Sequence, residues 1–500
     1  MTAIITEKFR QHNADQFFES FSETSGNAYY LFIGKTTSFT TGTSGGTDGA
    51  PPTPTDGVGE EYYVWDDMIA AKKITSSFIS YALPRRDWTN GTIYDMYSHD
   101  ISSSNTATSG ATNIYDSTFF FMTSDYRVYK VIDNNGGIAF SGSAPTSEAT
   151  GPFESGGYIL QYMYSLSSSE IDKYLTTDFM PVSTNSTVSA AATDGAISSL
   201  IITGGSGYTN GTYYAAIYGD GTSQGTSSGG TVRITISNGS IQSFGVNTGT
   251  DTTVLAGGAA YTYATVNLAT GYTFSDTSLS SASSVGSGTG GQIKVVISPK
   301  GGHGFDAIAE MGGHYLMMNT TLTQAEGDDF TVANDFRRVG LVVDPFEYNS
   351  STLATSSTAR QTYAVSLSSV SGTFDADEKI TQATTGAIGK VVDWDSSLSI
   401  LYYQQERFGD YGTNSSTGGY VAFSGANQIT GATSAAYGTP NASADSAVTL
   451  AGGSATITFA DGYANPELEP DSGNIIYIEN RKPISRASDQ TEDIKLIVEF

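Results

Sequence analysis

Short runs rich in Thr, Tyr and Val recur along the whole chain, and clusters of Gly, Ser and Asn separate them. β-Branched and aromatic residues favour strands, whereas Gly and Asn favour the turns between strands. Charged residues make up only 15% of the 500 residues, and 31 Tyr and 24 Phe are available for burial. The sequence therefore predicts a folded, mainly β protein.

The charge balance excludes several classes of partner. The formal net charge is −27, and no Lys/Arg cluster is large enough to form the basic face that nucleic acids or anionic membranes require. The chain has no cysteine, so disulfides, thiolate metal sites and cysteine nucleophiles are impossible. Charges also interrupt the first residues where a secretory signal needs an apolar stretch. We expect no nucleic-acid or membrane partner, and folding in a reducing cytoplasm.

The composition changes along the chain and suggests two insertions. Residues 186–299 contain only six charged residues, and Gly-rich turns join their predicted hairpins. A second region of alternating strands lies near 365–465. We predict a core formed by residues 1–185, 299–364 and 466–500. Residues 186–298 and 365–465 are predicted to be inserted β modules.

Local patterns predict individual elements. Asn13 and Gln16 suggest a capped helix whose apolar stripe includes Phe17 and Phe21. Residues 29–35 predict a buried strand, and residues 66–73 a short helix. Ser167 and Glu170 predict a second capping box. At the end of the chain, residues 494–500 alternate as a strand does.

The stretch PKGGHGFDAIAEMGGHY places His303 and His314 around Asp306 and Glu310. Zinc accepts such ligands, but the histidine spacing does not match the HExxH pattern of a helical site. The favoured interpretation is a Gly-rich turn, a short helix over DAIAEM and a stop at Gly312. We predict no metal site here, with a metal-stabilised module as the weaker alternative.

Other motifs lack the structural context that their chemistry requires. The GxGxxG pattern at 286–291 precedes a predicted strand instead of a helix, and the GxSxG pattern at 42–46 lies in a low-complexity loop. Residues 219–231 are too poor in carboxylates for a calcium loop. Nothing singles out one pair of acids for glycoside cleavage. We therefore predict no catalytic residues, no cofactor and no small-molecule substrate.

Two boxes combine arginines, an acid and an aromatic residue, namely ALPRRDW and NDFRR. Such side chains form either internal ion pairs or the anchors of protein interfaces, and the sequence leaves both interpretations open. The candidate interface residues, with two further arginines near the C-terminus, are Arg85, Arg86, Asp87, Trp88, Arg337, Arg338, Arg481 and Arg486.

Several of these segments together resemble a known family. ALPRRDW, GGYILQYMYSL, PKGGHGFDAIAEMGGHY and, most specifically, IIYIENRKPISRASDQTEDIKLIVEF resemble the dimeric baseplate wedge subunit of T-even-like contractile-tailed bacteriophages. The resemblance covers roughly residues 1–185, 299–350 and 472–500. It does not cover the two predicted inserts.

The resemblance implies a structural protein of the virion. Its implied fold is a layered antiparallel β-sandwich core with a few short peripheral helices. It implies a homodimer, a late protein made and assembled in the host bacterial cytoplasm, that contacts other baseplate wedge proteins in the tail baseplate. No catalysis is associated with the family. We expect that, when the baseplate rearranges, the β core moves as a rigid body and only the contacts of residues at its periphery change.

A second function is consistent with the same composition. Acidic, β-rich and Tyr-rich phage proteins also bind or cleave host surface glycans, so the alternative is a tail adsorption protein that acts through its inserts.

Overall fold

The structure is a computed structural model of the chain. It describes residues 6–23, 27–40, 45–221, 229–245, 249–268, 285–323, 334–451, 453, 455–485 and 491–500.

Helices are few and short. The α-helices are α1 (Glu7–Ser20), α2 (Val58–Asp67), α3 (Ser168–Tyr174), α4 (Ser186–Ala191) and α5 (Ala307–Met311), and two 3₁₀ turns are Ser76–Phe78 and Ile114–Asp116. Within the described ranges, none of these helices has the length and hydrophobicity needed to span a bilayer.

Strands make up most of the regular structure. In the first half of the chain they are β1 (Tyr29–Gly34), β2 (Met68–Ile74), β3 (Ile79–Pro84), β4 (Phe120–Met122), β5 (Arg127–Asp133), β6 (Phe153–Ser155), β7 (Tyr158–Ser165), β8 (Phe179–Pro181), β9 (Ile197–Thr203), β10 (Gly211–Ala216), β11 (Tyr218–Gly219), β12 (Thr231–Ser237), β13 (Ser240–Ile241), β14 (Thr253–Ala256), β15 (Ala264–Thr265) and β16 (Gln292–Ile297). In the second half they are β17 (Tyr315–Thr323), β18 (Phe336–Val343), β19 (Thr358–Arg360), β20 (Tyr363–Ser371), β21 (Lys379–Gln382), β22 (Ala387–Asp395), β23 (Ile400–Gln404), β24 (Thr413–Asn414), β25 (Gly419–Tyr420), β26 (Ile429–Gly431), β27 (Tyr437–Pro440), β28 (Ala447–Thr449), β29 (Thr456–Thr458), β30 (Tyr463–Ala464), β31 (Asn474–Ile484) and β32 (Thr491–Glu499). The prediction of a mainly β fold with few short helices is confirmed.

The chain forms two compact units. Unit 1 contains residues 1–14, 80–317 and 497–500, and unit 2 contains residues 15–79 and 318–496. A four-stranded sheet has the order β32-β17-β3-β8.

Two of the larger hydrophobic clusters among the described residues lie in different parts of unit 1. One packs against the sheet β4-β5-β7-β6 and is rich in aromatic rings, among them Phe121, Tyr129 and Tyr158. The other is formed entirely by residues between Ile197 and Ile297, from the small sheets of β9 to β16. Residues 197–297 thus bury an apolar core of their own.

Unit 2 is built on two sheets. A five-stranded sheet has the order β19-β2-β1-β18-β31, and α2 covers its cluster with Val64 and Trp65. A seven-stranded sheet has the order β23-β22-β21-β26-β27-β20-β30, and an additional pairing of β23 with β20 folds it back on itself. Val365, Val391 and Leu401 belong to its separate cluster.

Several local predictions are confirmed. β1 is buried at every position, and Ser167 and Glu170 form a reciprocal capping box at α3. Residues 307–311 are the short helix α5, and Gly312 ends it in the left-handed conformation. A Cβ at Gly312 would lie 2.5 Å from the ring of Tyr115, so both the backbone conformation and the packing require glycine.

Two local predictions are wrong. Asn13 does not cap a helix, because α1 begins at Glu7 and the hydroxyl of Thr6 accepts a hydrogen bond from the amide of Phe9 at 3.3 Å. Residues 68–73, predicted as part of a helix over 66–73, lie in strand β2. Its pairing with β1 and β19 on both sides outweighs the helix propensity of the Ala and Lys residues there.

We expect that residues 198–296 can be removed without unfolding the rest of unit 1. Ile197 and Ile297 are paired Cα neighbours, so a short Gly-Ser linker joins the ends. We expect the shortened protein to keep the far-ultraviolet circular dichroism of a β protein and a cooperative thermal transition. Removing 198–245 alone is the control, since it divides the cluster and should cause aggregation. Aggregation of both variants would contradict an independent module.

Candidate interface residues and buried charge clusters

The first arginine box follows strand β3 and runs beside β4. The amide of Trp88 donates to the carbonyl of Met122 at 2.7 Å, and the amide of Met122 donates to the carbonyl of Arg86 at 2.7 Å. This pairing fixes the alternation of the side chains. Arg85 and Asp87 are on the solvent side and form an ion pair of 2.9 Å.

Arg86 and Trp88 are directed into unit 1. The guanidinium of Arg86 lies 4.3 Å from the centre of the Phe120 ring and donates to the carbonyl of Tyr115 at 3.2 Å. Burial lowers the pKa of Arg86 to about 10, and nearby Asp95 opposes this shift. Trp88 packs edge-on against Phe140. These two side chains support the fold, whereas the side chains of Arg85 and Asp87 are 26% and 56% exposed.

The second box lies on β18, which is buried at every position. Arg337 forms ion pairs with Asp48 at 3.1 Å and Asp335 at 3.7 Å. Arg338 is wholly buried and pairs with Glu60 at 3.1 Å. Their geometry is that of internal ion pairs.

Arg338 belongs to a cluster around one buried carboxylate, which we call the Asp67 cluster. The Asp67 carboxylate lies 3.6 Å from Nη1 of Arg338, 3.7 Å from Nζ of Lys35 and 3.9 Å from Nζ of Lys390. Lys35 follows β1, Asp67 ends α2, and Lys390 lies on β22. A single carboxylate thereby joins three cations from distant parts of unit 2.

The surroundings of Asp67 set its charge. Burial raises the pKa of its carboxyl, but Lys35, Lys390 and Arg338 together hold that pKa below its usual value. Burial lowers the pKa of Lys390, and the charges of Asp67 and Asp377 oppose this. The mutual attraction in a dry environment therefore keeps the carboxylate ionised.

The remaining two arginines lie near the C-terminus. Arg481, on β31, is 46% exposed at its side chain and lies 3.7 Å from Glu479. Arg486 lies outside the described residues. Residues 42–44 of the GxSxG pattern and residues 222–228 of the segment rejected as a calcium loop also lie outside the described residues. Residues 286–291 lead into strand β16 instead of a helix.

The histidine-rich stretch is held by a second buried ion pair. Glu310 on α5 accepts from Nζ of Lys130 at 2.7 Å, and both side chains are buried. The same carboxylate accepts from the amides of Gly304 at 3.1 Å and Asp306 at 3.2 Å. Glu310 therefore closes the glycine turn and is engaged in this structural role.

The two histidines have different surroundings. His303 is buried edge-on against Tyr97, and burial together with the charge of Lys130 lowers its pKa well below the usual value. His314 lies 3.2 Å from the guanidinium of Arg10 and 3.7 Å from the carboxylate of Glu7. Within the described parts of the chain, no three His, Asp or Glu side chains converge as a metal site would require.

Sequence reasoning missed the Asp67 cluster and the pair of Lys130 with Glu310. The available signal was a lysine beside apolar strand residues in a chain with few charges. The lysine ends the strand pattern in YYLFIGK and lies within it in YRVYKVID. Such a lysine needs a buried partner, but the pattern does not identify that partner.

These features define a β-rich protein in which several charged side chains, Asp67 and Glu310 among them, form buried ion pairs. A family model described as bacteriophage T4 Gp8, a baseplate wedge protein, matches residues 3–144 and 447–500, together less than half of the chain. A comparison with curated proteins found no match. The family match supports a structural protein of the phage tail baseplate, and hence a component of the virion.

Neutralising Asp67 should strongly destabilise unit 2. Asp67→Asn leaves three buried cations without their shared counter-charge, which costs about 3–5 kcal/mol. Urea unfolding followed by tryptophan fluorescence measures the loss. Asp335→Asn is the control, because the Asp335 side chain is 36% exposed and its ion pair contributes about 1 kcal/mol or less. Equal effects of both substitutions would contradict the importance of the cluster.

Proposed function

We propose that the chain is a baseplate wedge protein of a contractile phage tail, that it forms a homodimer, and that it joins neighbouring wedge proteins during assembly. The observation that carries the proposal is the family match at both ends of the chain. The protein acts through its shape and its surfaces, without catalysis.

Sheet topology supports a common core that extends beyond the matched segments. β1 and β2 lie in the first matched segment and β31 lies in the second. β18, which lies outside the match, is inserted between β1 and β31 in the five-stranded sheet. Residues 299–364 therefore belong with the core in our proposal, and residues 186–298 and 365–465 are the additions.

The exposed arginines are the proposed contacts with wedge partners. The side chains of Arg85 and Arg481 are 26% and 46% exposed, and each lies beside an acid. Arginine is enriched among residues that dominate binding energy. Arg86 and Trp88 hold Arg85 and Asp87 in place from beneath. Arg337 and Arg338 contribute indirectly, because they stabilise β18.

Light scattering of the purified full chain tests the dimer. We expect twice the mass of the 52.5 kDa chain at micromolar concentration. The mass of one chain at micromolar concentration would contradict the homodimer. The assignment to the wedge would then be tested by incorporation into baseplates.

Reversing the charge of Arg481 should impair assembly. We expect Arg481→Glu to reduce incorporation into tails by about tenfold or more, since an interface arginine is replaced by an acid. Quantitative mass spectrometry of purified tails measures the incorporation. Lys482→Glu is the matched control, since Lys482 is an exposed neighbour on the same strand. Equal incorporation of Arg481→Glu and the wild-type chain would refute the contact.

The core should remain folded when the baseplate rearranges. Hydrogen exchange on assembled baseplates before and after contraction should show unchanged protection of the amides of 494–500, because β32 is hydrogen-bonded within a sheet. Loss of that protection on contraction would contradict rigid-body movement.

A further inference from the structure

Unit 2 contains a cleft of about 230 Å³ that the proposed function does not use. Clefts for drug-sized ligands are usually about 300–1,000 Å³, so this one accommodates a single side chain or a similarly small group. Its walls come from the end of α2, from the loop after β18, from the end of β23 and from residues 466–471. The lining residues used below are Asp66, Tyr348, Tyr363, Gln404, Arg407, Tyr420, Glu469 and Asp471.

The only cation among the lining residues is already engaged. Nε of Arg407 donates to Asp66 at 2.7 Å, and the amide of Arg407 donates to the same carboxylate at 2.9 Å. Both terminal nitrogens of Arg407 donate to Asp471, at 3.1 Å for Nη2. The guanidinium is thus held between two carboxylates and is not free to bind an anion.

The lining side chains carry an excess of negative charge. Asp66, Glu469 and Asp471 supply three carboxylates against one guanidinium. Burial raises the pKa of Asp66 to about 6, although Arg407 opposes the shift, so this carboxyl is ionised at pH 7.5. Two negative charges therefore remain uncompensated by the side chains that line the cleft.

A buried acceptor and three aromatic rings complete the lining. Gln404 is 2% exposed, its amide nitrogen donates to the carbonyl of Met68 at 2.8 Å, and its Oε1 has no hydrogen-bond partner among the described residues. Tyr348, Tyr363 and Tyr420 contribute ring surfaces. An unpaired buried acceptor requires a donor, and aromatic faces attract cations.

We propose that this cleft receives a cationic side chain, lysine or arginine, from a partner protein. An ammonium or guanidinium supplies the positive charge and the hydrogen-bond donors that the cleft lacks. A neutral sugar would satisfy Gln404 but would leave the excess charge uncompensated.

The exposed residues around the opening of the cleft favour a protein partner over a free small cation. Phe408 is 58% exposed, directly follows Arg407 in the chain, and packs against Tyr62 with ring centres 5.5 Å apart. Tyr420 is 40% exposed. Exposed aromatic residues around a charged pocket are typical of an interface anchor site. The proposal concerns the isolated chain and does not depend on a place in the baseplate.

Binding of small probes to the full-length protein tests the proposal. The probes are acetyl-Gly-Lys-Gly-amide, acetyl-Gly-Arg-Gly-amide, acetyl-Gly-Gln-Gly-amide, methyl glucoside and spermidine, measured by saturation-transfer NMR and titration at pH 7.5. We expect the lysine or arginine peptide to bind at least tenfold more tightly than the glutamine peptide, and added salt to weaken that binding.

Substitutions of cleft residues test whether the cationic peptides bind in the cleft. Tyr420→Ala and Glu469→Gln should each weaken binding of the cationic peptide by roughly three- to tenfold, whereas Tyr420→Phe should retain it because the ring remains. Tyr437→Ala is the matched control: Tyr437 is also 40% exposed and does not line the cleft. Unchanged thermal unfolding would show that each variant is folded, and Tyr420→Phe provides a test if Tyr420→Ala is unstable.

Three results would overturn the proposal. The first is equal binding of the glutamine peptide or methyl glucoside, which would indicate a site for neutral ligands. The second is binding of spermidine without binding of either cationic peptide, which would exclude a protein side chain. The third is cationic binding that neither Tyr420→Ala nor Glu469→Gln weakens, which would place it elsewhere on this acidic protein.

Discussion

The buried carboxylate of Asp67 is the constraint on which unit 2 depends. It lies where the end of α2 meets the end of β1, and it pairs with cations from β18 and β22. A buried charge is tolerated only when its partners are positioned well. The helix end, two strands of the five-stranded sheet and one strand of the seven-stranded sheet must therefore adopt their places together.

Residues 365–465 take part in the Asp67 cluster and in other contacts with the rest of unit 2. Composition alone describes them as an inserted module, yet Lys390 in this segment pairs with Asp67 and Gln404 donates to the backbone of Met68. The hydroxyl of Thr36 donates to Asp377 at 2.8 Å. Polar contacts thus fix the segment to the five-stranded sheet. Residues 197–297 also enter and leave through one pair of strands, and Lys294 forms an ion pair of 2.7 Å with Asp100, which lies outside them.

Local patterns predicted those elements whose determinants are close in sequence. The capping box of Ser167 and Glu170 and the glycine stop at Gly312 are of this kind. β2 was missed because its conformation depends on two neighbouring strands, one of them nearly 290 residues away in sequence. The start of α1 was missed because Thr6 caps less conspicuously than the Asn13–Gln16 pattern suggested.

The candidate sites likewise combine features that local sequence predicts with features that depend on long-range contacts. The sequence identified the arginine boxes, but not that the side chain of Arg338 is inside the protein while that of Arg85 is at the surface. The guanidinium of Arg338 lies against Glu60 and Asp67 of α2, which are distant from it in sequence. The Asp67 cluster and the acidic aromatic cleft join residues from opposite ends of unit 2, so no sequence spacing could predict them.

The central claim is that this chain is a folded structural component of the tail baseplate. A cryo-electron microscopy reconstruction of the intact virion at residue resolution tests it most directly. We expect density for the five-stranded sheet of unit 2, with Arg338 enclosed beside Asp67, within the baseplate at the end of the tail. Density for this fold only in the capsid or in tail fibres, or none in the virion, would contradict it.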